Sequence, residues 1–172
     1  MKQKLLLLII LVFSNKSLAQ NLSLDEILKL RKNDIGYVEE YLTNKGWNFL
    51  EAKEPSEEEM GSATFTYKKS DFDNTAQSFL YFMYSGHSER KRIGIQVNKV
   101  DVYNTYISRI KSFGCTLTDS KVVGSDIVKI YVGETTTFKI TTTTVTNDFN
   151  SKKTIYHFLI CDNIDYLMNF TE

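Results

Sequence analysis

Proline occurs once in this chain, at Pro55, and cysteine and histidine occur twice each. A single proline excludes a proline-rich stalk or linker. Cys115 and Cys161 lack the paired C-x-x-C spacing of a zinc or redox site. They are either two half-buried thiols or one structural disulfide, and a nucleophilic cysteine would need a histidine beside it. His87 and His157 are isolated and offer no metal-ligand spacing. His87 reads as a residue of a solvated turn, and His157 alternates with Leu159 and Cys161 on one strand face. The chain has no H-E-x-x-H, no G-x-S-x-G turn and no glycine-rich phosphate loop. No catalytic constellation is therefore expected, and no metal or cofactor. Charge of one sign is lacking too, with 21 basic and 21 acidic residues. A nucleic-acid binder needs a basic face to displace counterions, so that class is disfavoured.

Long apolar runs are missing except at the start. Lys2 and Lys4 precede an unbroken apolar run at 5–13, and Ser17 and Ala19 stand at the small-residue positions of a signal-peptidase site. Residues 1–19 read as a secretory signal peptide cleaved before Gln20. The run falls short of the roughly 20 residues of a spanning helix. Losing Lys2, Lys4 and Lys16 leaves 18 basic residues against 21 acidic ones. A mildly acidic, secreted or periplasmic chain is expected, with no integral membrane segment.

What is present is a repeat. Residues 41–53 lie over 109–121 without a gap. Gly46 falls on Gly114, Phe49 on Leu117, Glu51 on Asp119 and Lys53 on Lys121. Upstream, Val38 falls on Tyr106 and Leu42 on Ile110. Each copy is the end of a helical pattern, a glycine stop and the start of a strand. In the first copy, Ser23 with Glu26 forms a capping box for a short helix to about Arg31, and a second helix runs over 35–45. Strands follow at 47–52, 63–68, 78–84 and 92–97. In the second copy Asn98 caps a helix whose Tyr103, Tyr106, Ile107 and Ile110 share one face. Strands follow at 115–120, 126–132, 136–145 and 154–161, with a hairpin at 147–153. Residues 163–168 echo 99–103, as the first turn of a third helix.

The expected fold is α+β: two tandem α-β4 units, residues 20–97 and 98–172, with antiparallel meander sheets and helices packed on one face. A short C-terminal helical turn ends the second unit. In a meander of order 1-2-3-4 the two cysteines stand three strand spacings apart, about 14 Å, too far for a disulfide.

A helix-plus-four-strand unit written twice resembles the architecture of β-lactamase-inhibitory-protein-like domains, over nearly all of the chain after its leader. The resemblance rests on the order and spacing of elements and carries no signature motif. It implies a saddle-shaped sheet whose aromatic concave face grips a partner protein, and it assigns no contact residue here.

Strand 78–84 is the most informative segment for function. Alternation places Phe79, Tyr81 and Met83 on one face and Leu80, Phe82 and Tyr84 on the other, both apolar. A sheet covered on one side needs one apolar face. The second is either covered by the other unit or a loop, or exposed as a partner site. Tyr84 with Phe82 is the expected exposed set, with Phe79 and Met83 as core fillers facing the helices. Tyr67 on the neighbouring strand is the expected companion, and Tyr81 heads the opposed set. The matching strand of the second unit puts Phe138 and Ile140 on one face and Lys139, Thr141 and Thr143 on the other, so the aromatic patch belongs to the first unit. The acidic run at 57–59 and the basic run at 90–92 read as solvated turns.

The reading that follows is an exported, non-enzymatic binding protein engaging a protein partner through its sheet face, as an inhibitor or immunity-type protein. The alternative is a small-molecule or lipid carrier with an apolar groove between helix and sheet.

Overall fold

The protein is described from a computed structural model, which covers residues 22–71, 75–146 and 150–171. The expected leader lies outside the described residues, as do residues 147–149 of the last hairpin. The first unit contributes α1 (Leu24–Arg31), α2 (Ile35–Asn44) and strands β1 (Trp47–Lys53), β2 (Gly61–Lys69), β3 (Ala76–Tyr84) and β4 (Lys91–Val97). The second contributes α3 (Val100–Ser112), β5 (Thr116–Val123), β6 (Asp126–Val132), β7 (Thr136–Thr146) and β8 (Lys152–Asp162), followed by α4 (Asn163–Phe170).

Each unit is an antiparallel meander, and the two meanders join through their fourth strands. The result is one eight-stranded sheet of order β1-β2-β3-β4-β8-β7-β6-β5. The seam is close to two-fold symmetric in its register. Ile93 pairs with Ile160, and Ile95 with Phe158. Matching the meanders strand by strand places Ile93 on Phe158 and Ile95 on Ile160, so one pair maps onto the other.

The repeat holds at the level of backbone conformation. Gly46 and Gly114 both follow a helix end and both have φ of 78°. That left-handed conformation closes a helix at little cost only for glycine. The register shifts between Phe49 and Glu51 in β1, and between Leu117 and Asp119 in β5. These are the positions that the gap-free overlay equates. Both bulges fall on the two edge strands, where they interrupt a row of backbone groups that another chain could otherwise extend.

The helices of the two units cover one face of the sheet. Leu24, Ile27 and Leu30 of α1, Val38 and Leu42 of α2, and Tyr106 and Ile110 of α3 are buried against it. The sheet answers with Trp47, Phe65, Leu80, Phe82, Ile93 and Ile95 from the first unit, and Phe138, Ile140, Phe158 and Ile160 from the second. Each such side chain contributes about 1.5–3 kcal/mol by leaving water. The helix α1 sits between the other two. Tyr41 and Lys45 of α2 reach its Glu26, and Arg109 of α3 holds its Asp25 at 2.8 Å. The Tyr106 hydroxyl donates to the Leu22 carbonyl at 2.7 Å.

Capping differs between the copies. The Ser23–Glu26 capping box is formed, and Asp34 caps α2 by accepting from the Tyr37 amide. Asn98 does not cap α3. The N-cap is Lys99, with no side-chain bond, because the helix starts one residue later than an Asn98 cap requires. Both cysteines are free and buried. Cys115 enters the helix-side core beside Tyr131 and Phe138, whereas Cys161 shares the other face with Thr137 and Leu159, across three strands.

Candidate functional site

Alternation along β3 sorts the doubly apolar strand into two faces. Phe82 pairs with Ala63 and Ile93, all three buried beneath the helices. Tyr81 pairs with Thr64 and Gly94 on the open face, with Phe79 and Met83 on either side. The facing expected from the sequence is therefore reversed. Phe82 is 0% exposed, and Tyr84 stacks on it at 6.1 Å on the helix side. Tyr67 likewise turns to the helix side, its ring 5.4 Å from Trp47. The physical reason lies in the pairing partners: Phe65, Ile93 and Ile95 are the aliphatic and aromatic neighbours that complete a core, and they share their face with Leu80 and Phe82. Of the four residues singled out, Tyr81 alone lies on the open face.

The open face carries a shallow apolar depression of about 370 Å³ lined by Ser62, Thr64, Tyr81, Met83, Gly94, His157 and Leu159. Gly94 creates it. In the row Thr64–Tyr81–Gly94–Leu159 it is the one position without a side chain. The Tyr81 ring leans over it, and a β-carbon there would stand 3.4 Å from Tyr81 Cδ2. Phe79 stacks beside Tyr81 at 6.3 Å with nearly parallel rings. Burial raises the Tyr81 phenol above its ordinary pKa, and Glu51 on the edge strand adds to this. His157 forms the far wall. Burial holds its imidazole below the usual range against the weaker pull of Asp126. A neutral imidazole suits a mostly apolar cup.

The second unit fills the same face differently. Matching β7 to β3 puts Thr137, Lys139 and Thr141 where the first unit has Phe79, Tyr81 and Met83. Across this half lies α4, which packs on β7 and β8 from the side opposite α1–α3. Arg92, expected in a solvated turn, instead makes a two-pronged ion pair with Asp165 of α4, both bonds at 2.7 Å. Their side chains are 14% and 4% exposed. Hydropathy gives no signal for such a pair, since the partners are 73 residues apart. The acidic run is solvated as expected, with Lys53 pairing Glu59 across the loop.

Nothing in these geometries assembles a nucleophile. Burial pushes the Cys161 thiol up to about 12 and raises Cys115 as well, opposite to what an attacking thiolate requires. Among the described residues, no three histidine, cysteine, aspartate or glutamate side chains are grouped to hold a metal, and no helix is long and apolar enough to cross a membrane. Leu80, Phe82, Ile93 and Ile140 are fully buried between helices and sheet, and depressions of about 170 and 560 Å³ open at the rim of that interior, one lined by Leu28, Cys115 and Phe138 and the other by Ile35, Phe82 and Tyr84.

The fold and the site thus define a tandem α-β4 protein with α1–α3 on one face and, beside α4 on the other, an apolar cup. No protein-family model, curated protein or solved structure matches the chain.

Proposed function

We propose that the chain is a non-enzymatic binding protein that engages another protein through the open face of the first unit. The observation that carries this reading is the strip Phe79–Tyr81–Met83 beside the Gly94 depression, on the half of the open face that α4 leaves bare. A sheet with one covered face has no folding need for apolar side chains on the other. Large aromatics at the centre of a patch supply most of the binding energy in protein interfaces. Tyr81 is the anchor in this reading, with a phenol that can accept or donate while its ring excludes water.

An inhibitor or immunity-type role is the specific form we favour. The tandem architecture resembles β-lactamase-inhibitory-protein-like domains, where a concave aromatic face grips a protein. Export through residues 1–19 would place the chain outside the cytoplasm, where such a partner would be met. The test compares native capture from the exported fraction by the wild-type chain and by Tyr81→Ala. A protein held by the first and lost by the second, at equal thermal midpoints, supports the reading. Equal capture by both chains, or an extracted lipid in place of a protein, overturns it.

A further inference from the structure

The second half of the open face is occupied by α4, and α4 is seated in an unusual way. A helix on a sheet buries its apolar stripe. Here Asp165 is the buried residue, while Ile164, Leu167 and Met168 stand 69%, 63% and 77% exposed at spacing i, i+3, i+4. Polar contacts hold the helix instead. Arg92 grips both Asp165 oxygens, Arg90 lies 3.8 Å from the same carboxylate, and Asn169 donates to it at 3.0 Å. Phe170 packs against the Arg92 guanidinium at 4.8 Å and the Lys139 ammonium at 5.2 Å. Neutral bonds tie the first turn: the Asn163 side-chain amide donates to the Gly133 and Glu134 carbonyls and accepts from the Thr137 hydroxyl, and its backbone N–H donates to the Thr135 carbonyl. Asn163 therefore anchors the N-terminal end of α4.

The cluster beneath α4 is a recognition site in its own right. Two cations, Arg90 and Arg92, face one carboxylate, Lys139 lies over the Phe170 ring, and the Arg90 Nε is buried without a partner. Paired guanidiniums read a carboxylate with geometric specificity, and the same cations read an aromatic face. The cluster also adjoins the cup. Met83 pairs directly with Arg92, and the row Tyr81–Gly94–Leu159 continues into Lys139.

We propose that α4 is a self-ligand, a displaceable cover over this basic site, and that the partner of the open face displaces it with an acidic and aromatic segment of like chemistry. The exchange leaves no charge stranded, since the partner's carboxylate replaces that of Asp165. Lifting α4 uncovers the half-buried rings of Tyr166 and Phe170, whereas its Ile164, Leu167 and Met168 ridge already faces water.

The test uses the full chain carrying Asp165→Asn, which leaves every other contact residue in place, and a fluorescein-labelled peptide of sequence 162–172 as the probe. Self-occupancy lowers apparent affinity in proportion to the closed fraction, so the peptide should bind Asp165→Asn about tenfold or more tighter than wild type. Amides of 164–170 should exchange faster in that variant while those of β3, β4 and β8 do not change. Arg92→Gln should release α4 in the same way and yet take up no peptide. A peptide with asparagine in place of the aspartate that corresponds to Asp165 should bind neither chain. Faster exchange across the whole sheet, equal peptide binding to wild type and variant, or undiminished binding of the asparagine peptide would each overturn the proposal. It rests on the open face being the interaction face. Tyr81→Ala leaves these peptide readouts unchanged while removing partner capture, so either reading can fail alone.

Discussion

The two units agree on the helix side of the sheet and part company on the open side. Beneath the helices, Leu80 and Phe82 of the first unit stand where Phe138 and Ile140 stand in the second. On the open side, Phe79, Tyr81 and Met83 of the first unit stand where Thr137, Lys139 and Thr141 stand in the second. A core tolerates exchange among apolar residues of similar volume and little else. The open face is under no such constraint, so a difference there reflects what the face touches. One half meets water with an aromatic cup. The other carries a helix held by a charge clamp.

The sharpest way to break this comparison is to truncate one side chain on each face of the same strand. Phe82→Ala should destabilise the fold by about 3–5 kcal/mol, as expected for a fully buried phenylalanine. Denaturant midpoints measure it, and a loss below about 1 kcal/mol would return Phe82 to the open side. Tyr81→Ala, one residue away, should leave the midpoint nearly unchanged and cost ~2 kcal/mol or more in partner binding. Thr141→Ala, in the second unit's open row, should change neither.

Acid should weaken the helix layer of the first unit. Burial pushes the Glu26 carboxyl up, but Lys45, the Ser23 amide and the Tyr41 hydroxyl outweigh it and hold it at about 2. A carboxyl with a lowered folded pKa stabilises the fold above its unfolded value, near 4.5, and that stabilisation is lost as pH falls towards about 2. Wild type should therefore lose stability between those values, and Glu26→Gln should lose less over the same window. Thermal midpoints taken from pH 5 to pH 2 decide it.

The smallest effect tests the repeat itself. Gly46→Ala and Gly114→Ala should each cost on the order of 1 kcal/mol, because a β-carbon is strained in the left-handed conformation. A β-carbon meets nothing within 4 Å at either glycine, so strain is the only cost and the two values should match. Unequal values would mean that the two stops are not equivalent.

Much of the fold was legible in the chain because it rests on local rules. Gly46 and Gly114 announce helix stops, Ser23 with Glu26 announces a helix start, and period-two runs announce strands, which appear within a few residues of their expected ends. The gap-free overlay even equated the two bulged positions, without any sign that bulges were there. Asn98 misled because a capping residue type two places before a helix looks the same as one that caps it.

The sequence by itself determined the two units and their meander order, since each follows from periodicity and the spacing of the repeat. It also showed that β3 has two apolar faces. Which face turns to the helices was decided only by the tertiary structure, because alternation is symmetric under exchange of faces and the register with Phe65, Ile93 and Ile95 breaks the tie. The same holds for α4. Its sequence looks like the start of another core helix, yet the long-range pairing of Arg92 with Asp165 turns its polar side to the sheet and its apolar side to water. Such a pairing joins residues far apart in the chain, and no local pattern encodes it.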